Sequence, residues 1–172
     1  NISKSIYLML EIYKASVKNV KEVKKQAKVI KKLLNQALKE NRVCEIDALT
    51  KTYALMYSAY AEVSFQKLIH TPHGFSDDYI QQIEEKRNLT EKWEKCMELA
   101  IKQIENGGNK GEIANKLKWL NKIMNNYIVH PSQIRNKIAH GQWSVCLNNN
   151  CTNINNDMTN ELDNLDFVKV EK

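Results

Sequence analysis

Three polar residues near the carboxyl end of the sequence could carry out acid–base chemistry. Arg135, Asn136 and His140 lie in the segment HPSQIRNKIAHGQW, residues 130–143. On a helix, Asn136 and His140 are four residues apart and share a face, whereas Arg135 is offset by about 140° and reaches round with its long side chain. Packing does not call for these residue types, because two isoleucines already supply the inward face. The trio is therefore predicted to face a cleft or a second subunit.

The three side chains together could act on a phosphodiester without a metal. His140 comes just before Gly141 at the predicted helix end, where the negative end of the helix dipole favours imidazolium. An imidazole that changes charge near neutral pH can both accept and donate a proton. Arg135 offers a planar guanidinium suited to a phosphate and to the charge that develops as it reacts. Asn136 can orient either partner, and the alternative for the trio is a buried polar network at a helix end.

The segment RNKIAH, residues 135–140, resembles the R-N-x3-H form of the R-x4-6-H motif of the HEPN superfamily (higher eukaryotes and prokaryotes nucleotide-binding domains). The following GQW also resembles some bacterial members. The resemblance implies a helical bundle that dimerises so that two motifs face one another. It further implies a metal-independent endoribonuclease, in which histidines act as general acid and base. Attack of the 2′-hydroxyl on the adjacent phosphate would leave a 2′,3′-cyclic phosphate and a 5′-hydroxyl.

The same resemblance implies a toxin or anti-phage defence effector that acts on RNA and needs no metal or cofactor. Its predicted partners are a second copy of the chain and an antitoxin or sensor protein. By position, Arg135 and His140 match the motif and Asn136 matches its R-N form. Glu62 is similar in placement to a polar residue that some members carry on their second helix, where it can pair with the motif arginine. Gln142 departs from members whose H-x-Y tyrosine is modified, so we expect no such control here.

The elements that must position these residues are predicted to be helices. Apolar residues recur every three or four positions, which predicts an all-α fold: a HEPN-like bundle of four to five helices followed by a short C-terminal β-ribbon or irregular tail. The first helix is predicted over about residues 3–39. The second runs from near Asp47 to before Pro72 and is apolar almost all round, so we expect it to be the most buried. Glu62 shares a face with its apolar residues and would need a partner there.

Residues that cap or break helices divide the rest of the chain. A third helix is predicted from its cap at Ser76 to the break NGGNKG, residues 106–111. A fourth is predicted from about Glu112 until it stops or kinks at His130, because the residue before a proline disfavours helical geometry. Pro131 then begins the motif helix, residues 131–140.

The sequence that follows the motif helix predicts a short strand, an Asn-rich turn and a second strand, and then a short helix around Met158–Leu165. One domain is predicted over residues 1–172, with the helical bundle in 1–143 and the tail in 144–172.

The net charge of +6 is unevenly distributed along the chain. Residues 1–43 hold eleven basic and three acidic side chains, and residues 106–143 hold six basic side chains and one acidic side chain. A polyanionic partner favours such basic segments. We predict that RNA is contacted by a lysine stripe on the first helix and by one lysine of the motif helix: Lys18, Lys25, Lys32 and Lys137. The alternative is an ordinary solvated face.

Other aromatic and histidine residues have plainer explanations. The tyrosines Tyr53, Tyr57 and Tyr60 could stack on bases, but their helical spacing favours core packing. Two tryptophans, Trp93 and Trp119, are predicted in the core, whereas Trp143 is predicted either to brace the site or to line a dimer seam. The segment HTPHGF, residues 70–75, is predicted to be a loop rather than a zinc site.

The composition favours a protein in solution in the cytoplasm, without a membrane partner. No apolar run approaches the roughly 18 residues that span a bilayer, and the cysteines lack the density of a disulfide scaffold, so we expect free thiols. Two other functions remain open from the sequence. One is a non-catalytic helical module that binds RNA or a protein partner, and the other is a structural subunit of a larger assembly.

Overall fold

The structure is a computed structural model that describes residues 2–104 and 110–166, with side chains described from Tyr7 onward except at Lys110. Most of the predicted break at 106–111 therefore lies outside the described residues. The described residues form seven α-helices and one π-helical segment, which confirms the predicted all-α fold with more helices than the four or five expected. The elements are α1 (Ile2–Lys39), α2 (Val43–Ile69), α3 (Asp77–Glu84), α4 (Leu89–Ile104), α5 (Lys110–Met124), the π segment (Asn125–Val129), α6 (His130–Ala139) and α7 (Asn156–Asp163).

The chain divides into two compact units. The first comprises the residues up to 21 together with 61–129, and the second comprises 22–60 together with the residues from 130 onward. The helices α1 and α2 each contribute to both units. The motif helix α6 belongs to the second unit, whereas Glu62 belongs to the first.

A hydrophobic core formed by α2, α3 and α4 stabilises the first unit. The rings of Phe65 and Trp93 pack with their centroids 4.8 Å apart and their planes inclined by 54°, a favourable tilted arrangement for an aromatic pair. The predicted core position of Trp93 is thus confirmed. The buried members of this core are Phe65, Ile69, Ile80, Ile83, Cys96 and Leu99.

The prediction of a single third helix is wrong, because α3 ends at Glu84 and α4 begins at Leu89. Asn88 caps α4: its Oδ1 accepts a hydrogen bond from the Glu91 amide at 2.9 Å, and its Nδ2 donates to Glu91 Oε1 at 2.8 Å. Such a cap satisfies backbone donors that a helix start leaves without partners, and so favours a new start here. The cap predicted at Ser76 is confirmed, since its Oγ accepts from the Tyr79 amide.

The core of the second unit lies under the motif helix. Ile134 and Ile138 of α6 are buried together with Cys146 and with Leu162 of α7. Partly buried hydrophobic residues surround them, namely Ala54, Leu55, Met158 and Leu165. The inward face predicted for the motif helix is therefore confirmed.

Two predictions of burial are wrong. Glu62 is exposed rather than buried, although every other residue from 52 to 64 of α2 is buried or half-buried, as expected for the most buried helix. Trp119 of α5 is 62% exposed rather than in the core. Periodicity identifies the apolar side of a helix but not whether another element covers it, so neither error could be detected from spacing alone.

The tail is more irregular than a ribbon. Within the described residues beyond α6, the strand pairing consists of one antiparallel bridge between Leu147 and Ile154. The turn between them is organised by Asn148, whose Oδ1 accepts from the Thr152 amide at 2.9 Å. The short helix predicted near its end is confirmed as α7, which begins at the cap Asn155.

The predicted free thiols are confirmed, and they differ in exposure. Burial raises the pKa of Cys96 to about 11 and also raises that of Cys146. Because the thiolate is the reactive form, we expect iodoacetamide to alkylate the exposed Cys44 and Cys151 of the native protein well before the two buried thiols. Mass spectrometry of timed samples measures the order, with denatured protein as the control in which all four react. Early labelling of Cys96 would contradict this expectation.

A polar network links α2, α3 and α4. Glu84 accepts a hydrogen bond from Gln66 Nε2 at 2.8 Å and pairs with Lys92. Burial opposes ionisation of Glu84, but these hydrogen bonds outweigh it and hold its pKa below the ordinary value of 4.5. With a lowered pKa in the folded state, ionised Glu84 stabilises the fold above the ordinary value, and this contribution is lost as pH falls through the folded value.

We therefore expect Glu84→Gln to lower the melting temperature at neutral pH, and to flatten its decline between about pH 5 and pH 3. Thermal unfolding followed by circular dichroism at several pH values measures both effects. The exposed Glu112→Gln serves as a control and should leave the slope unchanged. An unchanged slope in Glu84→Gln would show that the pair contributes nothing to acid stability.

Candidate functional site

Arg135 and Asn136 lie on α6, and His140 directly follows its last residue, Ala139. The opposite face of the helix is fixed by Ile134 and Ile138, which are 7% and 1% exposed. Asn136 and His140 are exposed, and Arg135 is half-buried. Asn136 and His140 therefore lie on the surface of their unit, whereas the Arg135 side chain is half-buried with its Nε enclosed.

His140 sits at a well-formed helix end. Its amide still donates to the Asn136 carbonyl at 3.0 Å, and the chain then turns at Gly141, whose φ of +79° is left-handed. The Gly141 amide donates to the Ile138 carbonyl at 3.0 Å, and the Gln142 amide donates to the Lys137 carbonyl at 2.9 Å. This pair of bonds is the Schellman motif, which satisfies carbonyls at the end of the helix. The backbone position of His140 is thus fixed by three hydrogen bonds.

Side chains that follow the motif brace the same helix end. Trp143 Nε1 donates to the Ile138 carbonyl at 2.9 Å, and Gln142 Oε1 accepts from the Leu147 amide at 2.7 Å. The Lys51 ammonium lies 5.9 Å from the centroid of the Trp143 ring. Of the two roles predicted for Trp143, the structure thus supports the brace.

The start of α6 lies where the sequence predicts a stop or a kink. The α-helical pattern of α5 ends at Met124, the π segment spans Asn125–Val129, and α6 begins at His130. A proline ring clashes with the carbonyl four residues earlier in an α-helix, and the wider π turn before Pro131 accommodates the ring. His130 Nε2 lies 2.7 Å from Glu161 Oε1, which links the start of α6 to α7. Single π turns often lie at functional sites.

The lysines predicted to contact RNA fall into two groups. Lys137 is half-buried, and its Nζ donates to the Leu147 carbonyl at 2.6 Å, so it ties α6 to the tail. The ammonium keeps two further N–H donors, so the RNA contact of Lys137 stays a prediction. The lysines of α1, Lys18, Lys25 and Lys32, are exposed as an RNA-contacting surface requires.

Sequence reasoning missed Lys51, a buried lysine in the second unit. Its side chain is only 9% exposed and pairs with Asp47 at 2.7 Å. A lysine of this kind can hold the position of Trp143 by a cation–π contact. The spacing of four residues from Asp47 was a signal for the ion pair but not for the burial.

Gly141 offers a direct test of the helix end. A methyl group added at Gly141 meets no atom within 4 Å, so the cost of Gly141→Ala comes only from the left-handed backbone. We expect a loss of about 1 kcal/mol in the free energy of unfolding. Urea titration measures it, and Gly141→Asn should cost less because asparagine tolerates this conformation better. Equal stability of Gly141→Ala and the wild type would exclude strain at this position.

Comparison with protein families, curated proteins and solved structures yields no match to this chain. Among the residues that the structure describes, no group of three or more His, Cys, Asp or Glu side chains is arranged to hold a metal ion. In the same part of the chain, no helix is both long and apolar enough to cross a membrane.

Proposed function

We propose that this chain is a HEPN-like, metal-independent endoribonuclease whose catalytic residues are Arg135, Asn136 and His140. The observation that carries the proposal is the exposure of Asn136 and His140 on the outer side of a helix whose inner side is buried and whose end is capped. Asn136 and His140 are exposed and lie outside the buried cluster under α6, so a ligand can reach both. Positioned polar groups of this kind supply acid–base and electrostatic catalysis.

The proposed reaction needs two histidines, and so a second copy of the chain. His140 of one copy accepts the proton of the 2′-hydroxyl while the 2′-oxygen attacks the adjacent phosphorus. The bond from phosphorus to the 5′-oxygen breaks, and protonated His140 of the other copy donates a proton to that oxygen. Arg135 balances the charge that develops on the phosphoryl oxygens. The products are a 2′,3′-cyclic phosphate and a 5′-hydroxyl.

The proposal extends to a biological role that follows from cutting RNA. An unrestrained endoribonuclease in the cytoplasm would act as a toxin or an anti-phage effector. An antitoxin or sensor protein would then hold the activity in check. The proposed reaction does not require Glu62, which is exposed, and its pairing with Arg135 stays a prediction.

The experiment that tests the proposal is incubation of purified protein with total RNA in the presence of EDTA. Fragments that end in 2′,3′-cyclic phosphate support it, because only attack by the 2′-hydroxyl leaves that group. RNA that is bound in a salt-dependent way but left intact would instead support a non-catalytic RNA-binding module. A preparation that neither cuts nor binds RNA would favour a structural subunit.

The second copy can be tested by subunit mixing. If each active centre needs His140 from both copies, a mixed dimer of wild type and His140→Ala is inactive. Co-refolding equal amounts should then leave about one quarter of the activity, the share of dimers with two wild-type chains. An activity of one half would mean that each chain acts alone.

A further inference from the structure

A basic groove with an aromatic floor lies between α1 and α2 in the second unit. Its volume is about 360 Å³. Lysines of α1 and tyrosines of α2 line it: Lys24, Lys28, Lys31, Tyr53, Tyr57 and Tyr60. We call this hollow the tyrosine groove.

The basic lining continues along α1 beyond the tyrosine groove. A second hollow of about 420 Å³ shares Lys28 and Lys31 with it and extends to Lys39. Every charged side chain that lines either hollow is a lysine. From Lys24 to Lys39 the helix rises roughly 22 Å, a length that on the order of five phosphates of one strand would span.

The tyrosines are neither core nor plain surface residues. Tyr53, Tyr57 and Tyr60 are half-buried, although their spacing favoured the core. The Lys24 ammonium lies 5.2 Å from the centroid of the Tyr60 ring, so a cation is already held against that aromatic face. On the same turns of α2, Ala54 and Leu55 pack against the core under α6. The tyrosines line the groove while their neighbours pack beneath the motif helix.

We propose that the tyrosine groove binds a single strand of RNA, with phosphates on the lysines and bases on Tyr53 and Tyr57. The carboxylates of an acidic protein would pair with the lysines but would not stack on the tyrosine rings. A single strand of RNA offers phosphates for the lysines and unstacked bases for the rings. The bases of a duplex are already stacked on one another. The choice of RNA over other single strands rests on the proposed function, while the groove itself rests on its own charge and aromatic lining.

The test measures binding in the absence of cutting. In the His140→Ala background, fluorescence anisotropy follows a labelled oligouridylate of about 12 nucleotides, within the usual range of site sizes for a single strand. The double variant Lys28→Gln/Lys31→Gln should bind at least about tenfold more weakly, with a salt slope smaller by about 1.4. The matched control Lys118→Gln/Lys122→Gln removes the same charge from exposed positions of α5 and should change affinity less than about twofold.

The contribution of the tyrosine rings to binding is tested separately from that of the lysines. Tyr57→Leu should weaken binding by about tenfold because stacking is lost, while Tyr57→Phe keeps the ring and should bind like the parent. Circular dichroism melting establishes that each variant is folded. If Tyr57→Leu binds as tightly as Tyr57→Phe, or the two lysine pairs weaken binding equally, the groove is not the RNA site and the proposal is overturned.

The failure of this inference can be told apart from failure of the proposed function. Loss of binding in the groove variants without any RNA cutting by the wild type would support the groove and refute the ribonuclease. Unchanged binding in the groove variants, together with RNA cutting that depends on His140, would support the ribonuclease and refute the groove as the RNA site.

Discussion

Replacing His140 with alanine is expected to lower the rate of RNA cleavage by about 10²- to 10⁴-fold, the usual contribution of a positioned acid or base. The exposed side chain belongs to neither hydrophobic core, so the fold should survive with a melting temperature close to that of the wild type. Single-turnover cleavage of a labelled RNA measures the rate. Arg135→Lys should also lose activity, because lysine keeps the charge but not the planar fork.

His130→Ala is the matched control for this prediction. His130 begins α6 and is exposed, and its contact with Glu161 is of the surface kind that contributes at most about 1 kcal/mol. We expect cleavage by His130→Ala to stay near the wild-type rate. If both variants lose activity equally, the loss comes from the helix rather than from acid–base chemistry. Full activity in His140→Ala would refute the catalytic role.

Replacing Ile138 with alanine is expected to have the largest effect on stability among the changes considered. Ile138 is 1% exposed and packs in the core with Cys146 and Leu162. Its truncation leaves a cavity, which costs about 2–5 kcal/mol in the free energy of unfolding. For a chain of this size the melting temperature should fall by roughly 5–15 °C. Thermal unfolding by circular dichroism measures the shift.

Ile154→Ala is the control for Ile138→Ala, because it removes the same atoms from a side chain that is 59% exposed. We expect its stability to stay within about 0.5 kcal/mol of the wild type. A comparable loss in both variants would mean that burial of Ile138 is not what stabilises the second unit.

Much of the local structure could be predicted because its signals are local. The extent of α1, the cap at Ser76 and the end of the motif helix at Gly141 all follow from spacing and from residue types that favour caps. The break before Leu89 was missed although Asn88 and Glu91 have the spacing of a capping pair. The apolar pattern on both sides of it was long enough to suggest one continuous helix.

Other features depend on neighbours that a single sequence does not identify. Lys137 resembles a surface lysine in the sequence, but in the structure its ammonium donates to the Leu147 carbonyl of the tail. The tyrosines of α2 resemble core residues in the sequence, but in the structure they line a groove together with lysines of α1. In each case a contact from elsewhere in the chain decides what the side chain does.

The indole of Trp143 also gives the second unit an optical reporter beside the motif. It is 38% exposed and lies three residues after His140, with its Nε1 on the Ile138 carbonyl. Tryptophan emission depends on the polarity and mobility around the ring, so loosening of the helix end or arrival of a ligand would change its intensity and wavelength. With Trp93→Phe and Trp119→Phe in place, the remaining signal comes from this position alone. The protein thus carries a native fluorophore with which events at His140 can be followed in real time, without a chemical label.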